Sequence, residues 1–523
     1  MKQELDLILS PHDASTEEVY IRQIAQTLGI TPKQITYTKI IRRSIDARKR
    51  DIKVAIRVLA YWDEQPKDEP KKVFEYPSVA GKPAVHIIGA GPAGLFAALR
   101  LIELGIKPII LERGKDVRAR RYDIAAINRE QKVNPDSNYS FGEGGAGTYS
   151  DGKLYTRSKK RGNVQKVLEV LHFHGASEEI LIDAHPHIGT NKLPLIIEAI
   201  RKNILDAGGE IHFNTRVDNF IVKDNKISAV VTPNETISVE KIILASGHSA
   251  RNIFEALHAS NIFIEAKPFA MGVRVEHPQS LIDQMQYHCT VRSEYLPAAA
   301  YNLVKQVNGR GVYSFCMCPG GFIVPAATSD DEIVVNGMSP ASRNSKYANS
   351  GMVVEIRLED IPQLAKFGAL AGLKFQQFVE NMAKKHGGGG QIAPAQRLMD
   401  FVRGRKSYDL PEVSYFPGIA SSEMHHWLPL HIGKRLQAGF AEFDKSMQGY
   451  LTNEAVILGV ESRTSSPVRI PRDRNTFRHL QIENLFPCGE GAGYAGGIVS
   501  AAIDGERTAE AICGIFSNTE NEE

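Results

Sequence analysis

Hydrophobic and polar positions along this chain fall into three regimes. At the start, Leu5, Leu7 and Leu9 alternate with polar neighbours, the two-residue period of a half-buried strand. Val19, Ile21, Ile24, Ala25 and Leu28 then recur at three- and four-residue intervals, which predicts a helix capped by Ser15 or Thr16 and stopped at Gly29. Residues 35–38 and 52–61 read as further strands. Residues 1–75 are therefore expected to form a small α+β domain, and the polar, proline-bearing stretch 65–72 to act as a linker.

The second regime is denser in apolar residues. Val85-His86-Ile87-Ile88 is a short buried-strand pattern that runs into Gly89-Ala90-Gly91-Pro92-Ala93-Gly94. Leu95, Leu99 and Ile102 then share a helix face, Gly105 sits at a helix C-cap position, and Pro108-Ile109-Ile110-Leu111 is a second strand ending in Glu112. Each part has a physical task. Gly89 lets the strand turn, Gly91 lets a pyrophosphate reach the backbone, and Gly94 lets helix and strand pack closely. The helix N-terminus attracts phosphate, and Glu112 stands near the spacing at which an acid meets a ribose diol. A helix over 192–207, strands over 210–213, 217–222, 227–232 and 241–245, and a turn at Asp224-Asn225 are predicted next. The last of these strands ends in Ser246-Gly247-His248-Ser249, a small-residue turn suited to close approach by a nucleotide. A second strand–glycine turn–acid–helix element lies near the end. There 482–486 leads into Gly489-Glu490-Gly491-Ala492-Gly493 and Gly496-Gly497-Ile498, followed by a helix over 499–511.

Between these regimes, residues 266–455 show no sustained period. The run Gly387 to Gly390 follows no strand and reads as a loop, not a second nucleotide fingerprint. Cys316-x-Cys318 lacks the further ligands of a metal site, so no metal is expected; the two are read as packed thiols, with a redox dithiol as the alternative. His425 and His426 are read mainly as local hydrogen-bonding residues. The loop from Phe141 to Leu154, rich in glycine and flanked by aromatics, reads as an ordered ligand loop.

Composition narrows the classes. With 63 basic and 60 acidic residues the net charge is +3, which argues against a nucleic-acid binder that works by bulk charge. The basic cluster Arg42, Arg43, Arg48, Lys49 and Arg50 is read as an exposed hairpin, with docking of an acidic partner as the alternative. No apolar run reaches the length of a membrane span, and the N-terminus is too acidic and interrupted for a signal peptide. Five scattered cysteines do not suggest a disulfide framework, so a cytoplasmic location is the default expectation.

Two separated elements, Gly89 to Gly114 and Phe486 to Gly497, resemble those of FAD-dependent oxidoreductases of the glutathione-reductase and geranylgeranyl-reductase type. More closely, the chain resembles the bacterial group of uncharacterised FAD-dependent dehydrogenases. That likeness extends to the N-terminal domain, Ser314-Phe315-Cys316-Met317-Cys318-Pro319-Gly320-Gly321, Ala393-Pro394-Ala395-Gln396-Arg397 and the stretch from Glu461 to Ile470. It implies FAD as the cofactor, with the turn from Gly89 through Ala90, Gly91, Pro92 and Ala93 to Gly94 on the pyrophosphate. Glu112, in the Glu112-Arg113-Gly114 strand end, would meet the adenosine ribose. Val217 would meet the adenine, Ser246 and Gly247 the phosphates, and Gly489 and Glu490 the ribityl chain. Gly496, Gly497 and Ile498 would face the pyrimidine edge of the flavin. Glu490 departs from the commoner Asp of the superfamily.

The fold expected is α/β: a discontinuous Rossmann-like FAD-binding domain (83–265 and 456–515), an inserted α+β substrate domain (266–455) and the small N-terminal α+β domain. The function expected is hydride transfer between FAD and a small organic substrate. The alternatives are a flavin-dependent nucleic-acid-modifying protein and a non-catalytic FAD-binding sensor or assembly protein. No second Gly-x-Gly-x-x-Gly with flanking strands exists, so NADH or NADPH would be a transient donor, or an external protein would exchange the electrons. Arg463, Thr464, Ser465 and Arg469 are candidates to hold an anionic substrate, with a salt-bridged loop as the equal alternative. No catalytic residue is assigned.

Overall fold

Five short strands converge into one parallel sheet, in the order Leu485–Pro487, Ile242–Leu244, Ala84–Ile88, Lys107–Leu111 and Glu210–His212. A parallel sheet is covered on both faces, so its strands read as nearly continuous apolar runs. Here Ile87, Ile110, Ile242, Ile243 and Leu485 are all fully buried. This is the computed structural model of the chain, and it describes residues 1–66, 72–156 and 162–514. Residues 67–71 of the expected linker, and residue 515, lie outside the described residues.

The last strand and the last helix come from the far end of the chain. Leu485–Pro487 sits at the sheet edge beside Ile242–Leu244. The helix Ile498–Ile512 lies against the helix Pro92–Glu103, which follows the first glycine turn. Their approach is set by Gly505, where a Cβ would lie 2.1 Å from the carbonyl oxygen of Ala93. Leu95, Leu99, Leu101 and Ile102 fill the layer beneath, each worth roughly 1.5–3 kcal/mol on burial. On the sheet's other face, Phe254 and Leu257 of the helix Arg251–Ala259 pack with Val217, Phe220 and Leu244. The meander Asn219–Lys223, Lys226–Val231 and Thr236–Ser238 adjoins this layer, and its first turn places Asp224 and Asn225 at positive φ, as two-residue hairpins require.

The region without a legible period forms a second, seven-stranded sheet. Its order is Val304–Val307, Arg310–Cys318, Tyr347–Ile356, Phe269–Pro278, Val456–Glu461, Ala393–Arg397 and Ile419–Ser421. All neighbours are antiparallel except the last pair. The helices Ala371–His386 and Leu430–Ser446 contribute Phe375, Val379, Phe440 and Phe443 to its core. One expected boundary moves. Val456–Glu461 was assigned to the C-terminal part of the FAD-binding unit, yet it pairs with Phe269–Pro278 and is buried throughout, so it belongs to the larger sheet.

The N-terminal unit is a three-stranded antiparallel sheet with Lys53–Trp62 between Lys2–Leu9 and Ile35–Asp46. The helix Glu17–Leu28 covers it with Ile24 and ends at Gly29 in the left-handed region. Within the basic cluster, Arg43 pairs with Asp183 at 2.8 Å, and Arg48 pairs with Asp46 at the surface.

Gly505→Val is expected to drive the two helices apart, because its nearest obstacles are the Ala93 carbonyl and the backbone nitrogen of Ala97. Overpacking of this kind costs about 1–3 kcal/mol or more. Urea unfolding of the apoprotein measures it, and an unchanged midpoint would show that the contact is not tight.

Candidate functional site

The turns at the carboxyl ends of all five parallel strands line one cavity. Gly89 follows the first strand, Glu112 and Arg113 the second, Thr215 to Val217 the third, Ser246 to Ala250 the fourth, and Glu490, Gly496, Gly497 and Ile498 the fifth. Ligands of open α/β sheets bind at this edge, where crossovers leave to opposite faces.

The glycines of the first turn divide by what a side chain would meet. Gly89 has φ 103°, and a Cβ there would come within 2.6 Å of the Ala245 oxygen. At Gly94 a Cβ would lie 2.0 Å from the Gly89 oxygen. Both are required by the protein's own packing. At Gly91 the nearest atom is the Gly145 Cα at 3.9 Å, so the protein leaves that space open toward the cavity. Gly247, Gly496 and Gly497 likewise have nothing within 4 Å of a Cβ position and line the same cavity. Bare backbone at four points, a helix N-terminus at Pro92 and the buried, unpartnered Ser246 hydroxyl fit an extended phosphate-bearing ligand such as FAD.

Glu112 is only 4% exposed, and its carboxylate is largely occupied. Oε2 accepts from the Ala90 N–H at 2.8 Å, and Oε1 accepts from Gly114 at 2.8 Å and Gly142 at 3.0 Å. With about four lone-pair positions on a carboxylate, roughly one remains for a hydroxyl in the cavity. Arg113 is turned into the wall: its guanidinium lies 3.9 Å from the Phe141 ring centroid and donates to Asp136 and Asn252. Asn252 in turn donates to the Val217 carbonyl at 3.1 Å.

The glycine loop is ordered, and Arg120 orders it. This fully buried guanidinium donates to the carbonyls of Asn138, Tyr139, Glu143 and Gly145. Burial draws its pKa down to about 10. The loop also orders the cavity from end to end. It starts at Glu112 through Gly142, reaches Gly91 at Gly145, touches Ile498 at Gly147, and ends with Lys153 beside Cys318. Sequence periodicity did not single out Arg120 from its neighbours Arg118 and Arg121, nor mark Asn252 or Lys153 as site residues. The glycine density around Lys153 was the available signal.

Four expected contacts lie behind the cavity rather than in it: Ala90, Gly94, Gly114 and Gly489 do not line it. Gly489 instead donates its N–H to Asp504 at 2.7 Å, and Asp504 is paired with Arg472. Glu490 does reach the cavity. It accepts from the Gly497 N–H and lies 3.5 Å from Nε2 of His248, whose pKa is lowered by burial.

Of the candidate anion-binding residues, Arg463 and Thr464 line the cavity and Ser465 and Arg469 do not; Arg463 also lies in a buried cluster with Glu332, Glu380 and Arg251, and Thr464 donates to the Ala270 carbonyl. Of the two thiols, Cys318 is buried and Cys316 is exposed, and both border the cavity. His425 and His426 do not line this cavity either; with Glu423 they bring possible ligand atoms within 4.8 Å of one another elsewhere.

Residues 82–124 match the family described as FAD binding domain, and residues 268–464 match FAD-dependent protein, C-terminal domain-like. Residues 1–61 match a domain of unknown function. An uncharacterised protein of Clostridium beijerinckii is 40% identical over 510 residues, which is 94% of this chain and 95% of that protein. A thiamine thiazole synthase of Aeropyrum pernix is 26% identical over 182 residues, 32% of this chain and 55% of that one. Among solved structures, L-proline dehydrogenase from P. horikoshii overlaps with a TM-score of 0.35 at 11% identity, covering 85% of this chain and 96% of that one. Overlap that loose fixes neither substrate nor reaction.

The glycine geometry separates two variants. Gly91→Ala is expected to keep apoprotein stability within about 1 kcal/mol while weakening FAD binding at least about tenfold. Gly94→Ala is expected to destabilise the apoprotein itself. Unfolding curves and flavin titration read both, and normal FAD affinity in Gly91→Ala would remove the backbone there from the phosphate site.

Proposed function

This chain belongs to the FAD-dependent oxidoreductase family, and we propose that it exchanges hydride between non-covalently bound FAD and a small organic substrate. The observation that carries the proposal is the open backbone at Gly91, Gly247, Gly496 and Gly497 around one cavity fed by every strand of the parallel sheet. When bound, FAD supplies hydride exchange at its N5 position.

The residues of this chain then divide the work. Gly91 and the helix Pro92–Glu103 receive the pyrophosphate, with Ser246 and Gly247 beside it. The remaining acceptor position of Glu112 takes a ribose hydroxyl, and the backbone at Val217 borders the adenine. Glu490 holds ribityl hydroxyls while its bond to Gly497 keeps the following turn in place. Gly496, Gly497 and the N-terminus of the helix Ile498–Ile512 face the pyrimidine edge, where the helix dipole favours negative charge. His248, 3.5 Å from Glu490 and with its pKa lowered by burial, is positioned to move a proton at the cavity wall. Phe315, Asn336 and Thr464 border the cavity on the side of the seven-stranded sheet. NADH or NADPH, acting transiently, is the electron source to be tested first.

Anaerobic mixing with NADH and then NADPH tests the function. Bleaching of the oxidised flavin band, slowed when the nicotinamide carries deuterium at its transferable position, is the expected result. Bleaching with no isotope sensitivity would sink direct hydride transfer from the nicotinamide. Glu490→Gln is expected to lower FAD affinity by about one to two orders of magnitude, since charge-assisted hydrogen bonds contribute roughly 1.5–3 kcal/mol. Unchanged affinity in a flavin titration would take Glu490 out of the cofactor site.

A further inference from the structure

We propose that Cys316 and Cys318 form a reversible disulfide that exchanges an electron pair with the cofactor site. The proposal rests on the reading of the cavity as the flavin site.

The backbone is the first observation. The strand Arg310–Cys318 pairs with Tyr347–Ile356 in register as far as Phe315 opposite Gly351, and pairing resumes with Cys318 opposite Asn349. Three residues on one side therefore span two on the other, which is a bulge, and bulges re-aim side chains next to active sites. Within it Cys316 takes φ 44°, a left-handed conformation that non-glycine residues rarely adopt. Two thiols that only filled a core would need no such backbone. Here the bulge leaves both cysteines, one residue apart, lining the cavity.

The second observation is the charge around the pair. Sγ of Cys318 lies 3.8 Å from Nζ of Lys153 and 3.5 Å from Nη2 of Arg274. That same Arg274 nitrogen donates to the carbonyl of Cys316 at 2.8 Å, so one guanidinium touches both residues of the pair. Arg274 is fully buried and held by Glu461 at 2.8 Å, and Lys153 is held by Asp151 at 3.1 Å. Cations fixed beside a sulfur are the setting in which thiol–disulfide exchange proceeds. Cys316 differs from its partner. It is exposed and borders the cavity, and burial of its sulfur by the protein around it pushes its thiol up to about 11, so it carries its proton at neutral pH.

The third observation is position. The thiols line the same cavity as Gly496, Gly497 and Ile498, and the glycine loop that meets Ile498 at Gly147 reaches Cys318 at Lys153. Breaking the Cys316–Cys318 bond consumes two electrons and two protons and yields two thiols. The reduced cofactor provides the electron pair and one proton, and solvent provides the other. In the reverse direction the two thiols are oxidised and the cofactor is reduced.

The test uses the full chain with FAD bound. After mild oxidation, the peptide bearing Cys316 and Cys318 is expected to resist iodoacetamide and to be lighter by two hydrogens. After reduction it should take up two alkyl groups. Anaerobic dithionite titration should consume two electron pairs per FAD in the wild type and one pair in Cys318→Ser. One electron pair in the wild type, with both thiols alkylated in the oxidised protein, overturns the proposal. If Cys318→Ser does not fold, alkylation and titration of the wild type decide alone. A chain that binds no FAD would fail the flavin reading instead, and alkylation of that apoprotein would still report whether the disulfide forms.

Discussion

A carboxylate buried as deeply as Glu112 must find donors inside the protein, and the three it finds come from three separate segments. Ala90 belongs to the first glycine turn, Gly114 to the exit of the second strand, and Gly142 to the glycine loop. Hydrogen bonds to a charged acceptor are worth about 1.5–3 kcal/mol each, and leaving such a group unpaired would cost more than any one of them contributes. The side chain therefore fixes the turn, the strand end and the loop relative to one another before any ligand arrives. That placement carries along the cavity, because the loop anchored on Glu112 at Gly142 is the one that passes Gly91 and Ile498 and meets Cys318 at Lys153.

Buried guanidinium groups complete the arrangement. Arg120 satisfies carbonyls of the glycine loop that no helix or strand could satisfy, Arg274 ties the bulged strand to Val456–Glu461, and Arg463 joins Arg251 to Glu332 and Glu380. Each stands at an edge where the large sheet or the glycine loop meets the cavity. Removing one partner of a buried pair typically costs about 3–5 kcal/mol, so these positions make the site rigid. Arginine suits the task because its planar fork reaches several acceptors at once, as Arg120 does.

The middle of the chain was opaque for a related reason. Phe269–Pro278 is buried on both faces, yet it contains Arg274, Glu276 and His277. Charged residues at alternate positions ordinarily mark a solvent face, and here they mark internal ion pairs and hydrogen bonds: Arg274 to Glu461, Glu276 to Ser414, His277 to the Tyr450 carbonyl. Neither a period of two nor a continuous apolar run survives in such a strand. The helix Leu193–Asp206, by contrast, buries one face only, and its apolar period located it to within a residue at each end.

Local chemistry determined what the sequence alone could reveal. A glycine that must turn, a helix that must start and a strand buried on both sides each leave a mark within a few residues, so the nucleotide-binding turn, its helix and the second glycine element near Glu490 were all legible. Tertiary structure decided the rest, because it depends on which segments meet in the folded chain. It turned Arg463 and Arg113 toward carboxylates of the wall, drew most of the Glu112 carboxylate into backbone contacts, and set Gly489 behind the cavity on Asp504. It also brought Cys316 and Cys318 beside Lys153, which lies more than 160 residues earlier in the chain. Spacing along a chain records the demands of the backbone, whereas the pairing of buried charge is settled only when distant segments meet.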